Sequence, residues 1–197
     1  MRKWLVSILA VPAAVLPLAA VAQVAPERAP RVQSDMPRYQ VYAGFSYTSL
    51  NQVNQSRYGL VGANFEVSRN LGRFFAVVAD GGFYPGSLQS GNPGNPSVSM
   101  VLGGMELHGN IFEKWAVFGR GLIGGEHTGG TGQTPSVSFA GGLGIGVERT
   151  LNRRFAIRAS GDTIGSSFSV TNNTSEQGGS PHLRWNARAG AGVVYRF

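Results

Sequence analysis

The sequence predicts an all-β protein, an eight-stranded antiparallel up-and-down transmembrane β-barrel that follows a cleaved signal peptide. Three observations predict this fold: eight stretches of alternating hydrophobicity, connections that alternate between short and long, and strand charges confined to one face. The chain has 197 residues, which is enough for one ordinary domain. It has no cysteine, which excludes a disulfide framework and a thiolate metal site.

Residues 1–22 are predicted to be a secretory signal peptide. Two basic residues precede a mostly apolar stretch, and small residues two positions apart form a cleavage pattern between Ala22 and Gln23. The alternative is a membrane anchor, but two prolines interrupt the stretch and it is short for a spanning helix. Residues 23–37 contain three prolines and are predicted to form an extended leader, and residues 38–197 are predicted to form the barrel.

The strands are predicted from apolar residues that recur with a period of two. A helical pattern is absent after residue 22, and the many glycines of the chain would weaken a helix by about 1 kcal/mol each. The eight strands are expected near residues 39–48, 58–68, 74–84, 97–108, 115–126, 137–148, 155–163 and 183–197.

The connections between these strands alternate in length. A membrane barrel has tight turns at one end and long loops at the other, whereas a soluble sandwich has no reason to show this asymmetry. Tight turns are predicted at 70–73, 110–114 and 150–153, and longer polar segments at 49–57, 85–96, 127–136 and 164–182.

A repeat supports the count of eight strands. Residues 70–77 (NLGRFFAV) recur in related form at 110–117 and again at 150–157, a spacing of 40 residues both times. Propeller blades have a similar period, but each of them packs four strands into that length. Here each unit holds two strands of about ten residues, so the repeat is a hairpin and four hairpins make eight strands.

The charged residues within the predicted strands all occupy even-numbered positions, and the odd-numbered positions are largely apolar. An arginine or lysine on a lipid face costs about 2–4 kcal/mol at the bilayer midplane, which explains such strict segregation. The charged positions are Glu66, Asp80, Glu106, Arg120, Glu126, Glu148, Arg158, Asp162, Arg184, Arg188 and Arg196.

The apolar face could line the inside of a soluble lipocalin-like barrel around an apolar ligand, or it could face lipid. Aromatic residues favour lipid, because Tyr39, Phe75, Trp115 and Phe155 share the apolar parity and the same end of four strands. Amphipathic rings at one level are typical of a membrane–water interface. These four residues are predicted to form an aromatic girdle at the turn end.

The last nine residues, 189–197 (AGAGVVYRF), carry a recognisable motif. A final strand that ends in Phe197, with Tyr195 third from the end, resembles the terminal assembly signal of bacterial outer-membrane barrels. From Arg38 onward the chain resembles the eight-stranded OmpA-like or OmpX-like barrel family. The resemblance implies location in the bacterial outer membrane, a periplasmic leader and girdle, and insertion by the barrel assembly machinery, which would read Tyr195 and Phe197.

The even-numbered face is expected to fill the lumen, because an eight-stranded barrel is only wide enough for side chains. Charges removed from water there must pair, so a polar network is predicted. Its expected function is to hold the barrel together. The alternative is a small gated pore for ions or small solutes, in which the ion pairs exchange partners. The network is predicted from Glu66, Asp80, Glu106 and Glu148 with Arg120, Arg158, Arg184 and Arg188.

Patterns of enzyme or cofactor chemistry are weak. Glu106 and His108 share a face two residues apart, but an isolated acid–histidine pair is more often structural. The three histidines show no metal-ligand spacing, and the glycine-rich segment 119–124 lies inside a strand, so it does not form a dinucleotide-binding loop. The protein is therefore predicted not to be an enzyme and to need no cofactor or metal.

The expected partners follow from export and from the charge pattern. The formal net charge of +7 would suit nucleic acid, but an exported protein does not meet the genome. Basic residues cluster instead at the predicted turns, where they can meet the lipid of the outer membrane. By family analogy a monomer with a structural or surface-interaction role is expected, its long loops being the place where a surface ligand would bind.

Overall fold

A computed structural model of the chain describes residues 37–51, 57–86, 95–131, 135–167 and 183–197. The predicted signal peptide, its predicted cleavage site at Ala22 and Gln23, and all of the predicted leader except Pro37 lie outside the described residues. Within these ranges no helix is long and apolar enough to cross a membrane. The eight strands are β1 (Tyr39–Asn51), β2 (Arg57–Asn70), β3 (Phe75–Tyr84), β4 (Asn95–Phe112), β5 (Trp115–Thr131), β6 (Ser136–Thr150), β7 (Phe155–Ser166) and β8 (Arg184–Arg196).

The strands form one closed antiparallel barrel in sequence order, with β1 paired to both β2 and β8. Closure extends to the last residue, because Tyr39 and Phe197 exchange two backbone hydrogen bonds of 3.1 and 3.0 Å. The predicted fold class is therefore confirmed. Closure also pairs every strand on both sides, which leaves no open sheet edge.

At one end of the barrel, two of the three turns agree closely with the turns predicted from the repeat. Leu71 and Leu151 each donate a backbone hydrogen bond of 2.9 Å to the carbonyl of the residue four positions later. The predicted turn at 110–114 is too long: β4 continues to Phe112 with an irregularity between Asn110 and Phe112, and only residues 113 and 114 separate it from β5. Cross-strand pairing with β5 thus extends a strand that local sequence would have ended.

The connections at the other end are less uniform than predicted. Residues 52–56 separate β1 from β2 and residues 132–135 separate β5 from β6, because these strands run further than their hydrophobic pattern. The segments between β3 and β4 (85–94) and between β7 and β8 (167–183) are the two long ones. We call this end of the barrel the loop end and the other the turn end.

Side chains alternate between lumen and exterior along every strand. All eleven charged positions named above have the inward parity, and nine of them are buried, while Arg184 and Arg196 are half-buried. The apolar face points outward: Phe45 is 78% exposed and Leu143 is 73% exposed. The lipocalin-like alternative is wrong, because its apolar face would have to enclose the ligand.

Several inward glycines relieve crowding inside the barrel. A Cβ placed on the inward Gly104 would overlap the backbone carbonyl of Gly121, whereas a Cβ on the outward Gly103 would lie 3.8 Å from the nearest atom. The same contrast separates Gly124 from Gly125. Close approach of backbone between neighbouring strands of this small barrel therefore explains these inward glycines.

Candidate functional site

The lumen contains a continuous network of buried ion pairs. Its members come from seven strands and occupy inward positions whose side chains meet inside the barrel. In each of the three central arginines the side chain is 1% exposed. We call this set the ionic layer; it consists of Glu66, Asp80, Glu106, Arg120, Glu148, Arg158, Asp162, Arg188 and Arg196.

Arg120 joins three carboxylates near the middle of the lumen. Its Nε and Nη2 atoms donate to the two oxygens of Asp162 at 2.8 and 2.9 Å. Its Nη1 atom donates to Glu66 and lies 3.9 Å from Asp80. Arg120 therefore links β2, β3 and β7 from its own position on β5, and none of these strands is its neighbour in the sheet.

Arg158 holds the part of the layer nearer to the turn end. Its Nη2 atom donates to Glu148 at 2.8 Å and lies 3.4 Å from Glu106, and its Nη1 atom donates to Glu66. Glu148 also accepts a hydrogen bond from Arg196. Glu66 thus bridges two arginines, and Glu148 connects the network to the last strand.

Arg188 completes the layer on the side of the loop end. Its Nη1 atom donates to Asp80 at 2.7 Å, and its Nε atom donates to Asp162 at 2.8 Å. Asp80 also accepts a hydrogen bond of 2.9 Å from the side-chain amide of Asn64. Asp80 and Asp162 each serve two arginines, so the pairs form one network and not four isolated bridges.

Aromatic rings line the same layer. The guanidinium carbon of Arg158 lies 4.6 Å from the ring centroid of Phe118 and 5.9 Å from that of Tyr42. The guanidinium carbon of Arg120 lies 5.8 Å from the Phe118 centroid. A cation over a ring face is attracted to the ring, more strongly where water is excluded. Phe118 fills space between the charges without adding a polar group, whereas Tyr42 brings a buried hydroxyl that makes no hydrogen bond within the described residues.

The energetic role of the network follows from its burial. Taking a charge out of water costs several kcal/mol, and in this layer most carboxylates recover that cost through two or more charge-assisted hydrogen bonds. Such a network contributes little to folding stability beyond what an apolar core would contribute in its place. Removing one member, however, leaves an uncompensated buried charge, which is strongly destabilising. The ionic layer therefore fixes which strands face each other across the lumen.

The structure brings together seven of the eight residues predicted for the network. Arg184, the eighth, begins β8 at the loop end and is half-buried. Asp162 and Arg196 belong to the layer but were not expected to pair, although their even-numbered positions already assigned them to the lumen. Sequence parity identified the face, and only closure of the barrel determined the partners.

Glu106 and His108 approach each other on the lumen side of β4. The Nε2 atom of His108 lies 3.1 Å from a carboxylate oxygen of Glu106, and the His108 ring packs near Phe118 with centroids 6.4 Å apart. The Nη2 atom of Arg158 lies 3.4 Å from the same oxygen of Glu106. In the described part of the chain no three His, Asp or Glu side chains converge as metal ligands would.

An apolar layer, which the sequence analysis missed, fills the lumen nearer to the loop end. Its side chains are at most 3% exposed, and they occupy even-numbered positions that were expected to be polar. The Sδ atom of Met100 lies 3.5 Å from Nη1 of Arg188, so the two layers are in contact. The apolar layer consists of Leu50, Leu60, Val78, Tyr84, Val98, Met100, Leu102, Leu122, Ala140 and Ile164.

The four residues of the predicted girdle lie at the turn end, each at the first position of its strand, with exposed side chains. The last strand joins them: the ring of Tyr195 lies 5.2 Å from that of Phe155, and the ring of Phe197 lies 5.9 Å from that of Tyr39, between centroids. Outward arginines accompany two of these rings, Arg69 at 5.8 Å from Tyr39 and Arg149 at 5.5 Å from Trp115. Aromatic rings beside cations are typical of the membrane–water interface, where the acyl chains of the lipid meet the headgroups.

A closed barrel with an apolar exterior, a filled lumen and a ring of aromatics defines a class of protein. Only a structure that satisfies all backbone groups internally can span lipid, and among β structures only the closed barrel does so. The chain has the fold and the surface of the integral eight-stranded barrels found in bacterial outer membranes.

Comparisons with known proteins agree with this class. Neisserial surface protein A is 11% identical and superposes with a TM-score of 0.62 over 81% of this chain and 97% of its own. The attachment invasion locus protein Ail of Yersinia pestis is 14% identical, with a TM-score of 0.54 over 82% of this chain and 99% of its own. A second structure of Ail, in complex with the heparin analogue sucrose octasulfate, gives a TM-score of 0.55. No protein-family model and no curated protein matches the sequence significantly, so the likeness is one of fold.

Proposed function

We propose that this chain is an outer-membrane barrel with a closed lumen, whose role is structural or is exerted at the cell surface through its loops. The observation that carries the proposal is the division of the lumen into an ionic layer and an apolar layer. An ion that crossed the barrel would have to displace paired charges and then pass a layer made almost entirely of apolar side chains, which costs several kcal/mol. The lumen is thus better suited to holding the barrel together than to conduction.

The loop end is the proposed working surface. The two longest connections, 85–94 and 167–183, lie at this end, whereas the turns at the other end span two to four residues. The similar barrels are named a surface protein and an attachment invasion locus protein, and one of them was solved with a heparin analogue. Fold similarity alone does not transfer a ligand, but it makes a sulfated saccharide a reasonable first probe.

Deletion of the chain from its bacterium, followed by complementation, tests this proposal. One complementing variant replaces residues 168–181 with a short Gly-Asn turn, and a control variant replaces residues 87–93 in the same way. We expect the deletion to weaken attachment to heparin-coated surfaces or the permeability barrier of the envelope. If the long-loop variant restores the barrier but not attachment, the surface role is supported. If neither property changes in the deletion strain, the proposal is wrong.

Planar-bilayer recording separates the closed barrel from the gated pore. The pore has one observation in its favour, namely that Glu66, Asp80 and Asp162 each contact two arginines and could exchange between them. We expect no conductance above background from the purified protein, and none from Arg120→Ala, because the apolar layer remains in place. Discrete conductance steps in either protein would contradict the closed lumen.

A further inference from the structure

A groove on the outer face of the barrel lies close to the turn end. It has a volume of about 540 Å³ and is lined by three consecutive residues on each of β4, β5 and β6. The outward residues of this lining are Leu107, Gly109, Val117, Gly119, Ile145 and Val147. Gly109 lies opposite Val117, and Gly119 lies between Leu107 and Ile145 in the register of the three strands. The two glycines leave the floor of the groove without side chains, while Ile145 is 73% exposed and stands at its edge.

Packing within the protein does not require these two glycines. A Cβ on Gly109 would lie 3.7 Å from Val117, and a Cβ on Gly119 would lie 3.9 Å from the carbonyl oxygen of Gly144. Both are ordinary contacts, unlike the overlaps at the inward glycines. The depression is therefore open to whatever covers the exterior, which in a bilayer is an acyl chain.

Positive charge lies at the end of the groove that faces the headgroups. Arg149 lies on β6, two residues beyond Val147, and pairs with Trp115 on β5. Its guanidinium carbon lies 5.5 Å from the centroid of the Trp115 indole. Lys114 is held beside it, because the backbone carbonyl of Lys114 accepts a hydrogen bond of 2.8 Å from Thr150. Glu113 is the acidic neighbour in the same turn, and the exposed Arg153 and Arg154 in the next turn leave the local charge positive.

The dimensions also fit one lipid chain. The four steps from Arg149 to Ile145 span about 13 Å along a strand. At a strand tilt of about 40° this is about 10 Å of depth, within the roughly 15 Å of hydrocarbon in one leaflet. A headgroup phosphate at Arg149 and Lys114 would thus place an acyl chain over Gly119 and Gly109. We propose that the β4–β6 groove is a binding site for an anionic phospholipid in the leaflet at the turn end. The inference rests on the membrane placement of the barrel and is independent of what the loops bind.

Quenching of Trp115 by brominated lipids tests the site directly. Of the three tryptophans, Trp4 lies in the predicted signal peptide, so replacing Trp185 with phenylalanine in the chain from Gln23 onward leaves Trp115, beside Arg149, as the reporter. This protein is folded into phosphatidylcholine vesicles that contain increasing amounts of either phosphatidylglycerol or phosphatidylcholine brominated on the acyl chains. We expect half-maximal quenching at a roughly fivefold lower mole fraction of the brominated phosphatidylglycerol, an effect typical of one basic side chain near a membrane.

Two variants and two controls separate a built site from general attraction to the surface. Gly119→Leu fills the groove and Arg149→Gln removes the charge, and each should abolish the preference. Gly161→Leu is also outward, on β7, and Arg73→Gln removes a charge beside Phe74, and neither should change the preference. Equal quenching by the two lipids, or a preference that survives Gly119→Leu, would overturn the proposal. Absence of quenching by any brominated lipid would contradict the membrane placement as well.

Discussion

Arg120 and Asp162 form a two-pronged ion pair across the lumen, with Nε and Nη2 of the arginine 2.8 and 2.9 Å from the two carboxylate oxygens. The two residues belong to β5 and β7, which are separated by β6 in the sheet. Side chains from strands that share no backbone hydrogen bonds thus meet at the centre of the barrel. The ion pair is part of a network in which the guanidinium of Arg120 also serves Glu66.

Replacing Arg120 with alanine should be strongly destabilising. The substitution leaves Asp162 and Glu66 buried with fewer cationic partners, and breaking a buried pair from one side costs about 3–5 kcal/mol. The free energy of unfolding in urea, measured for the barrel in detergent or lipid, should fall by this amount. The control is Arg153→Ala in the exposed β6–β7 turn, which should stay within about 0.5 kcal/mol of wild type. If the two variants lost the same free energy of unfolding, the ionic layer would contribute no more to stability than an exposed residue in a turn does.

An arginine on the outer face should be costly in proportion to its depth in the bilayer. Leu143 and Val137 share the outward face of β6, the first at its middle and the second near its loop end. Leu143→Arg should lower the free energy of unfolding in lipid vesicles by about 2–4 kcal/mol, and Val137→Arg by about 0–1 kcal/mol. The same pair measured in detergent micelles gives a second comparison. If the two arginines cost the same in vesicles, the exterior of β6 does not cross hydrocarbon as we describe.

Adjacent glycines on β4 should respond differently to alanine. In Gly104→Ala the new methyl group overlaps the backbone of Gly121, and overpacking of this kind costs about 1–3 kcal/mol. In Gly103→Ala the methyl group makes only an ordinary contact, 3.8 Å from the carbonyl oxygen of Val78, and stability should stay the same or rise by about 0.4–1 kcal/mol. Unfolding curves of the two variants under one set of conditions decide the matter. A loss in Gly103→Ala as large as in Gly104→Ala would contradict the assignment of the two faces.

The last residues should affect assembly more than they affect the folded barrel. Tyr195 and Phe197 pack on the girdle, and their motif resembles the signal read during insertion. Phe197→Ala should reduce the fraction of heat-modifiable barrel in the outer membrane severalfold while permitting refolding in detergent. Phe112→Ala, which removes another exposed aromatic ring at the turn end, is the control and should assemble normally. A similar reduction in both variants would argue for a general loss of interfacial anchoring.

Much of the fold could be predicted because a β-strand encodes its two faces in alternate residues. Glu66, Arg120 and Arg158 could be assigned to the lumen from their even positions alone, and Phe45 and Leu143 to the exterior from their odd ones. The ends of strands were less predictable, since β4 passes through a segment with the composition of a turn. Its length depends on pairing with β5, which the residues of β4 do not encode.

The division of the lumen into two layers also escaped prediction, for a different reason. Parity treats all inward positions alike, so Leu60, Leu102 and Ile164 gave no sign that they would meet one another. Their strands, β2, β4 and β7, are not neighbours in the sheet, and the side chains meet only inside the closed barrel. Height depends on the stagger between strands, and stagger is set by the whole set of backbone pairings.

By itself, the sequence determined that this protein is a barrel, how many strands it has and which side of each strand faces lipid, because these properties repeat every two residues. Tertiary structure decided which charges pair, as shown by Asp162 and Arg196, and where the lumen changes from ionic to apolar. It also decided where two outward glycines align with Arg149 to make a groove. These are contacts across or between strands, and their distances exist only once the sheet has closed on itself.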